Sequence, residues 1–117
     1  IDERFEISGQ IENLFKQNNP PDGIFAVNEI YAATAMKIVQ ELGKKIPDEV
    51  AIIGFTDGFI SKFSTPSLST VAQHGYRMGL KAFEILLEEI EHQDIDILHR
   101  TEVIIPDLVI RESTKKM

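Results

Sequence analysis

The chain has 117 residues, which is enough for one compact domain built around a single hydrophobic core. Its apolar content of 43% and charged content of 26% are typical of globular proteins and argue against intrinsic disorder. The net charge of −7 argues against broad contact with nucleic acid phosphates, and the absence of cysteine excludes disulfides and thiolate metal sites.

The sequence shows no targeting signal. No apolar run has the length of a membrane span, and no basic segment followed by an apolar one resembles a signal peptide. The chain begins at Ile1 rather than at an initiator Met, so we expect it to be part of a longer protein.

Helix and strand patterns alternate in the first half of the chain. Apolar residues at helical spacing predict a helix over 2–17, and a second helix is predicted over 29–42, where Gly43 ends it. Two continuous apolar runs, 24–27 and 50–55, are typical of strands buried on both faces. Strand, helix and strand in this order form a right-handed crossover, which favours a parallel sheet.

The second half contains fewer strand signals. We predict a loop over 56–66, a short strand over 68–71 and a strong amphipathic helix over 76–91. Apolar residues over 103–110 indicate extended segments interrupted at Pro106. Because the chain opens on a helix and has at most three or four strands, we expect it to be the later part of a larger α/β domain.

Polar residues follow the first two predicted strands directly. Asn28 and Glu29 come after one strand, and Thr56 and Asp57 come after the next. Ligands of open parallel sheets bind beyond the carboxyl ends of the strands, and amide and carboxylate groups suit hydroxyl-rich ligands. The alternatives are that Asn28 is an N-cap and that Asp57-Gly58 forms a turn, and neither excludes ligand binding.

Signatures of catalysis and of metal binding are absent from the sequence. His74, His92 and His99 show no metal-ligand spacing. No nucleophile elbow, Walker A loop or dinucleotide-binding glycine motif occurs. A receiver domain would open on a strand, whereas this chain opens on a helix. We therefore expect no enzymatic activity, no cofactor and no metal.

Three segments together resemble consecutive blocks of the LacI/GalR repressors. They are PDGIFAVNE at 21–29, IPDEVAIIGF at 46–55 and TPSLSTVAQ at 65–73, and the resemblance runs from about Gly9 to Arg111. It implies an α/β fold, namely a partial periplasmic-binding-protein-like (type I) domain with a parallel sheet and flanking helices. A small ligand would lie in the cleft between two lobes.

The resemblance also implies how the chain divides. Residues 1–72 would form the later half of the C-terminal lobe, and residues 73–98 would be a crossover and a helix of the N-terminal lobe. Residues 99–117 would be strands and a tail that return to the C-terminal lobe. Most of the N-terminal lobe, a ligand-clasping Arg, the hinge and the helix-turn-helix are expected outside this chain.

The same resemblance implies a set of ligand-binding residues. Asn28 matches the ligand-contacting Asn of the family. Thr56 stands where the family usually has Asp, and Asp57 follows it by one residue. Gln73 falls where the chain crosses beside the cleft, and Phe5 matches an aromatic that stacks on the ligand.

For dimerisation, the family uses the helix after Asn28 and the loop after Asp57. The candidate interface residues are Ile30, Tyr31, Ala33, Phe59 and Phe63. The alternative is that Phe59 and Phe63 fill the local core.

These features predict the effector-sensing and dimerisation part of a cytoplasmic LacI-type transcriptional regulator. The effector would be a sugar or a related polar metabolite, the protein would be a homodimer, and operator DNA would be bound only through the region outside this chain. The alternatives are a periplasmic sugar-binding protein of a transport system and an enzyme that uses Asp57 and Glu29 as an acid–base pair.

Overall fold

The computed structural model describes residues 3–92 and 100–114, and the side chains from Ile7 onwards within the first of these ranges. The elements in chain order are α1 (Glu3–Phe15), β1 (Gly23–Ala26), α2 (Glu29–Glu41), β2 (Ala51–Phe55), α3 (Phe59–Phe63), β3 (Ser69–Ala72), α4 (Gly75–Glu91) and β4 (Asp107–Val109). His99 and the side chain of Phe5 lie outside the described part of the chain.

The four strands form one sheet in the order β1-β2-β3-β4. The pairs β1–β2 and β2–β3 are parallel, with Ala26 opposite Gly54 and Gly54 opposite Thr70. β4 returns antiparallel to β3, with Val109 opposite Thr70. The predicted α/β fold with a parallel sheet is therefore confirmed for the first three strands, and the fourth adds an antiparallel edge.

Helix α2 buries its apolar stripe against the sheet. Ala32, Ala35, Met36 and Val39 lie on one face of the helix and are all buried. They join a core of buried residues that also contains Ile11, Ala26, Ile38, Val50, Ile52 and Leu68.

Gly54 sets how closely α2 approaches the sheet. A methyl group at Gly54 would lie 3.1 Å from Ala32 Cβ and 3.2 Å from Leu68 Cδ2. Contacts this tight require the neighbours to shift, so the helix sits at a distance that only glycine allows without rearrangement.

The predicted loop over 56–66 was wrong in one part, because Phe59–Phe63 forms the short helix α3. The prediction missed it because five residues are too few for a clear helical period. Conversely, the extended segments predicted over 103–110 contain only the three-residue strand β4.

Contacts divide the chain into two compact units, one of Ile1–Ala72 with Asp107–Met117 and the other Gln73–Pro106. The second unit consists of α4, in which no residue is buried, and the segment after it. There Arg100 pairs with Glu88 at 3.0 Å and with Glu102 at 3.4 Å. The predicted division of the chain into segments of two lobes stays a prediction.

A buried serine, Ser113, fastens the segment after β4 to the core. Ser113 Oγ donates to the carbonyl oxygen of Ile52 at 2.5 Å and accepts from the Ser69 N–H at 2.8 Å. The Ile52 N–H donates to the Ser113 carbonyl at 2.9 Å. The hydroxyl therefore links β2 and β3 where both strands are buried.

We predict that Ser113→Ala lowers the free energy of unfolding by about 1–3 kcal/mol, because it leaves a buried N–H and a buried carbonyl without their partner. Urea denaturation measures this value. Thr34→Ala is the control, since the Thr34 hydroxyl donates to Ile30 O at 2.9 Å in a solvent-exposed hydrogen bond. The control should change stability by no more than about 0.5 kcal/mol, and equal effects of the two variants would contradict the role of Ser113.

Candidate ligand-binding rim

The residues that follow β1 and β2 lie side by side at one edge of the sheet. β1 ends at Ala26 and β2 at Phe55, so Asn28, Thr56 and Asp57 all lie just beyond strand ends. The Asn28 carbonyl oxygen is 3.9 Å from the position that a Cβ of Gly54 would occupy, which shows how close the two segments are. We call Asn28, Thr56 and Asp57 the binding rim.

Asn28 begins helix α2 as its N-cap. Its backbone is extended, with φ −153° and ψ 168°, and its Oδ1 accepts a hydrogen bond from the Tyr31 N–H at 2.8 Å. The capping interpretation of Asn28 is therefore confirmed. The cap uses the amide oxygen, and the capping interpretation does not exclude a ligand contact by the same side chain.

Glu29, the next residue, caps a different helix. Its Oε1 accepts from both the backbone N–H and the hydroxyl of Ser61, each at 2.6 Å. The N-cap of α3 is Gly58, which has no side chain to serve this role, and a Cβ at Gly58 would overlap the Glu29 carboxylate. A carboxylate at a helix N-terminus is favourable, so Glu29 stabilises α3 from another element.

Thr56 has an unusual backbone conformation. Its φ is +82°, in the left-handed region that β-branched residues rarely adopt. The Thr56 N–H donates to the Val71 carbonyl at 3.0 Å, which connects the rim to β3. Nothing in the sequence signals this conformation, since positions of this kind favour glycine.

Asp57 is held by two side chains of other segments. Its Oδ1 accepts from Thr70 Oγ1 at 2.8 Å and lies 2.7 Å from Arg111 Nη2. Only 19% of the Asp57 side chain and 17% of the Arg111 side chain are exposed. Arg111 also donates through Nη1 to Leu68 O at 2.8 Å. Arg111 was missed by the sequence analysis because it lies far along the chain and in no motif of charged residues.

This environment lowers the pKa of Asp57. Burial raises the pKa, but the hydrogen bonds from Thr70 and Arg111, together with the positive charges of Arg111 and Lys62, outweigh burial. The carboxylate is therefore ionised over the physiological range of pH, as the ion pair requires.

The structure brings three of the five predicted ligand-binding residues together, namely Asn28, Thr56 and Asp57. Gln73 opens the second compact unit, directly before α4. Phe5 lies in α1, and its side chain is outside the described part of the chain. The ligand-binding role of all five stays a prediction.

The predicted dimer residues lie on α2 and α3. Phe59 and Phe63 are 81% and 79% exposed, and their rings stack with centroids 6.4 Å apart. The alternative that these two side chains fill the local core was therefore wrong. Ile30 is also exposed, whereas Tyr31 and Ala33 are half-buried. We call these five residues the α2–α3 surface.

The described residues contain neither a metal-binding cluster nor a membrane-spanning helix. Within 3–92 and 100–114, no group of three or more His, Asp or Glu side chains is arranged to hold a metal ion. In the same residues, every helix is too short or too polar to span a membrane.

Comparison with known proteins identifies the family. Residues 2–114 match the family described as periplasmic binding protein-like domain. The chain belongs to this family. The resemblance to LacI/GalR regulators is also confirmed, because transcriptional repressors of this type match most of the chain.

Two curated relatives are transcriptional repressors. The chain is 34% identical over 108 residues to the HTH-type transcriptional repressor PurR of Haemophilus influenzae, which covers 92% of the chain and 32% of that protein. It is 42% identical over 94 residues to the ribose operon repressor of Halalkalibacterium halodurans, which covers 80% of the chain and 28% of that protein. The chain thus spans about a third of the length of these relatives.

A solved structure confirms the fold. The chain is similar to a LacI family transcriptional regulator from Enterococcus faecalis with bound ribose, at a TM-score of 0.79 and 29% identity. The match covers 95% of this chain and 40% of that one. The type I periplasmic-binding-protein-like fold predicted from the sequence is therefore correct.

We predict that Asp57 makes stability depend on pH. Because the pKa of Asp57 in the folded chain lies below its ordinary value of 3.8, its contribution is complete above that value. The contribution is lost as the pH falls through the folded-state pKa. Urea denaturation between about pH 6 and about pH 2.5 should show the advantage of wild type over Asp57→Asn shrinking with acidification. A constant difference across this range would contradict the prediction.

Proposed function

We propose that the chain is the effector-sensing and dimerisation portion of a LacI-type transcriptional regulator that acts in the cytoplasm. The observation that carries the proposal is the binding rim at the carboxyl ends of parallel strands, in a chain whose curated relatives are repressors. Operator DNA would be bound through a region outside this chain.

The proposed effector is a sugar or a related small polar metabolite. The rim offers an amide at Asn28, a hydroxyl at Thr56 and an ionised carboxylate at Asp57, which are the groups that pair with ligand hydroxyls. The ribose operon repressor and the ribose-bound regulator among the relatives support ribose as the first probe.

An enzymatic function has little support. Both carboxylates of the suggested acid–base pair bind other residues of the chain, Glu29 at Ser61 and Asp57 at Arg111. A group that caps a helix or forms an ion pair is a poor proton donor or acceptor for a substrate. We propose that the protein is not an enzyme and uses no cofactor.

A periplasmic sugar-binding protein would share this fold. The repressor relatives support the regulator instead. A helix-turn-helix encoded in the same gene would support the regulator, and a signal peptide in that place would overturn it in favour of the transport protein.

We predict that Asn28→Asp separates capping from ligand binding. Asp caps a helix as well as Asn, so stability should stay within about 0.5 kcal/mol, whereas Asn28→Ala should lose about 1 kcal/mol. Both variants remove the side-chain NH₂ group, so both should weaken ribose binding by about 1–3 kcal/mol. Calorimetry on the full-length protein measures the affinity, and denaturation measures the stability.

The two variants also test the alternative. If Asn28 acts only as a cap, Asn28→Asp should bind ribose as wild type does. Unchanged affinity in both variants would remove Asn28 from the binding site.

For assembly, we propose that the α2–α3 surface is a homodimer interface. Two stacked and largely exposed phenylalanine rings form an apolar patch on α3, Ile30 on α2 is exposed as well, and exposed apolar patches are typical of subunit contacts.

We predict that Phe59→Asp shifts the full-length protein from dimer to monomer, because it places a charge at the centre of an apolar contact. Sedimentation velocity measures the distribution. Lys16→Asp is the control, since it introduces an aspartate at an exposed position directly after α1. A dimer that survives Phe59→Asp would place the interface elsewhere.

A further inference from the structure

The C-terminal segment reaches the binding rim through one side chain. The Arg111 guanidinium contacts Asp57 Oδ1 at 2.7 Å, Leu68 O at 2.8 Å and Thr70 Oγ1 at 3.2 Å. Its own backbone N–H donates to Ser69 Oγ at 2.7 Å. Arg111 lies just after β4, away from the strand ends that carry the rim residues, and it links the rim to β3.

The rim needs such a link because of Thr56. A positive φ at a β-branched residue is unfavourable and persists only where the surrounding contacts hold it. Two adjacent hydrogen bonds hold Thr56 against β3. The Thr56 N–H donates to the Val71 carbonyl, and Thr70 Oγ1 donates to the Asp57 carboxylate. Arg111 reinforces the second of these hydrogen bonds, because its guanidinium binds both Asp57 and Thr70.

We propose that Arg111 is a positioning residue that holds Thr56 and Asp57 in the ligand-binding geometry, so that the C-terminal segment sets effector affinity without touching the effector. Its effect on affinity rests on the proposed function, whereas its effect on Thr56 does not. A guanidinium offers several donors in one plane, which matches the three acceptors here, and a lysine ammonium cannot reach all three in the same way.

A neighbouring residue provides the control for simple attachment of the segment. Glu112 Oε2 accepts from the Ser67 N–H at 2.8 Å and from Ser67 Oγ at 2.9 Å. This pair fastens the same C-terminal segment to residues just before β3, and it involves no rim residue. If attachment alone matters, loss of either side chain should have the same effect on the rim.

The test uses Arg111→Met, Arg111→Lys and Glu112→Ala in the full-length protein. Amide hydrogen exchange reports the rim at Thr56, and exchange at Ala51, whose N–H donates to Asp22 O at 2.8 Å rather than to the C-terminal segment, reports opening of the sheet. We expect Arg111→Met to speed exchange at Thr56 relative to Ala51 by about tenfold and to weaken ribose binding by about tenfold. Arg111→Lys should show part of both effects, and Glu112→Ala neither.

The outcomes separate the two hypotheses. Unchanged relative exchange at Thr56 in Arg111→Met and Arg111→Lys overturns the positioning role, and so does an equal change in Glu112→Ala. Faster relative exchange at Thr56 without any ribose binding by wild type supports the positioning role and contradicts ribose as the effector. If Arg111→Met does not fold, Arg111→Lys decides the question through the same two measurements.

Asp57→Asn provides an independent check. If Arg111 acts on Thr56 through Asp57, Arg111→Lys should change exchange at Thr56 much less in the Asp57→Asn background than in wild type. Additive effects of the two substitutions would overturn the proposed route.

Discussion

The ion pair between Asp57 and Arg111 joins the start of the loop after β2 to the segment that follows β4. Removing two charges from water is costly, and such a pair is stable only where further hydrogen bonds complete it. Here Thr70 and the Leu68 carbonyl supply them. The pair thus depends on β3 being in register with β2, and the rim in turn depends on the pair.

Glu29 and Asp57, the acidic residues beside the strand ends, both bind other residues of the chain. Glu29 caps α3 through Ser61, and α3 presents Phe59 and Phe63 to solvent. The Glu29 carboxylate therefore connects the start of α2, which Asn28 caps, to helix α3, which carries Phe59 and Phe63. This connection gives the binding rim and the α2–α3 surface a shared support.

The regular elements were predictable because their signals are local. Apolar runs marked β1 and β2, helical spacing marked α2, and Asn28 stood where an N-cap is favoured. The features that were missed depend on residues distant in sequence. Helix α3 begins on a carboxylate contributed by α2, and Asp57 is paired with an arginine in the C-terminal segment. Neither partner can be inferred from the spacing of residues around the site.

Gly54 connects the interior of the fold to the binding rim. It faces Ala32 of α2 with no space for a side chain, and Asn28 caps the same helix. A methyl group at position 54 would press on Ala32 and Leu68, and any shift of α2 that relieved this contact would move Asn28 as well. A residue of the interior can therefore control the position of a proposed ligand contact that it does not touch.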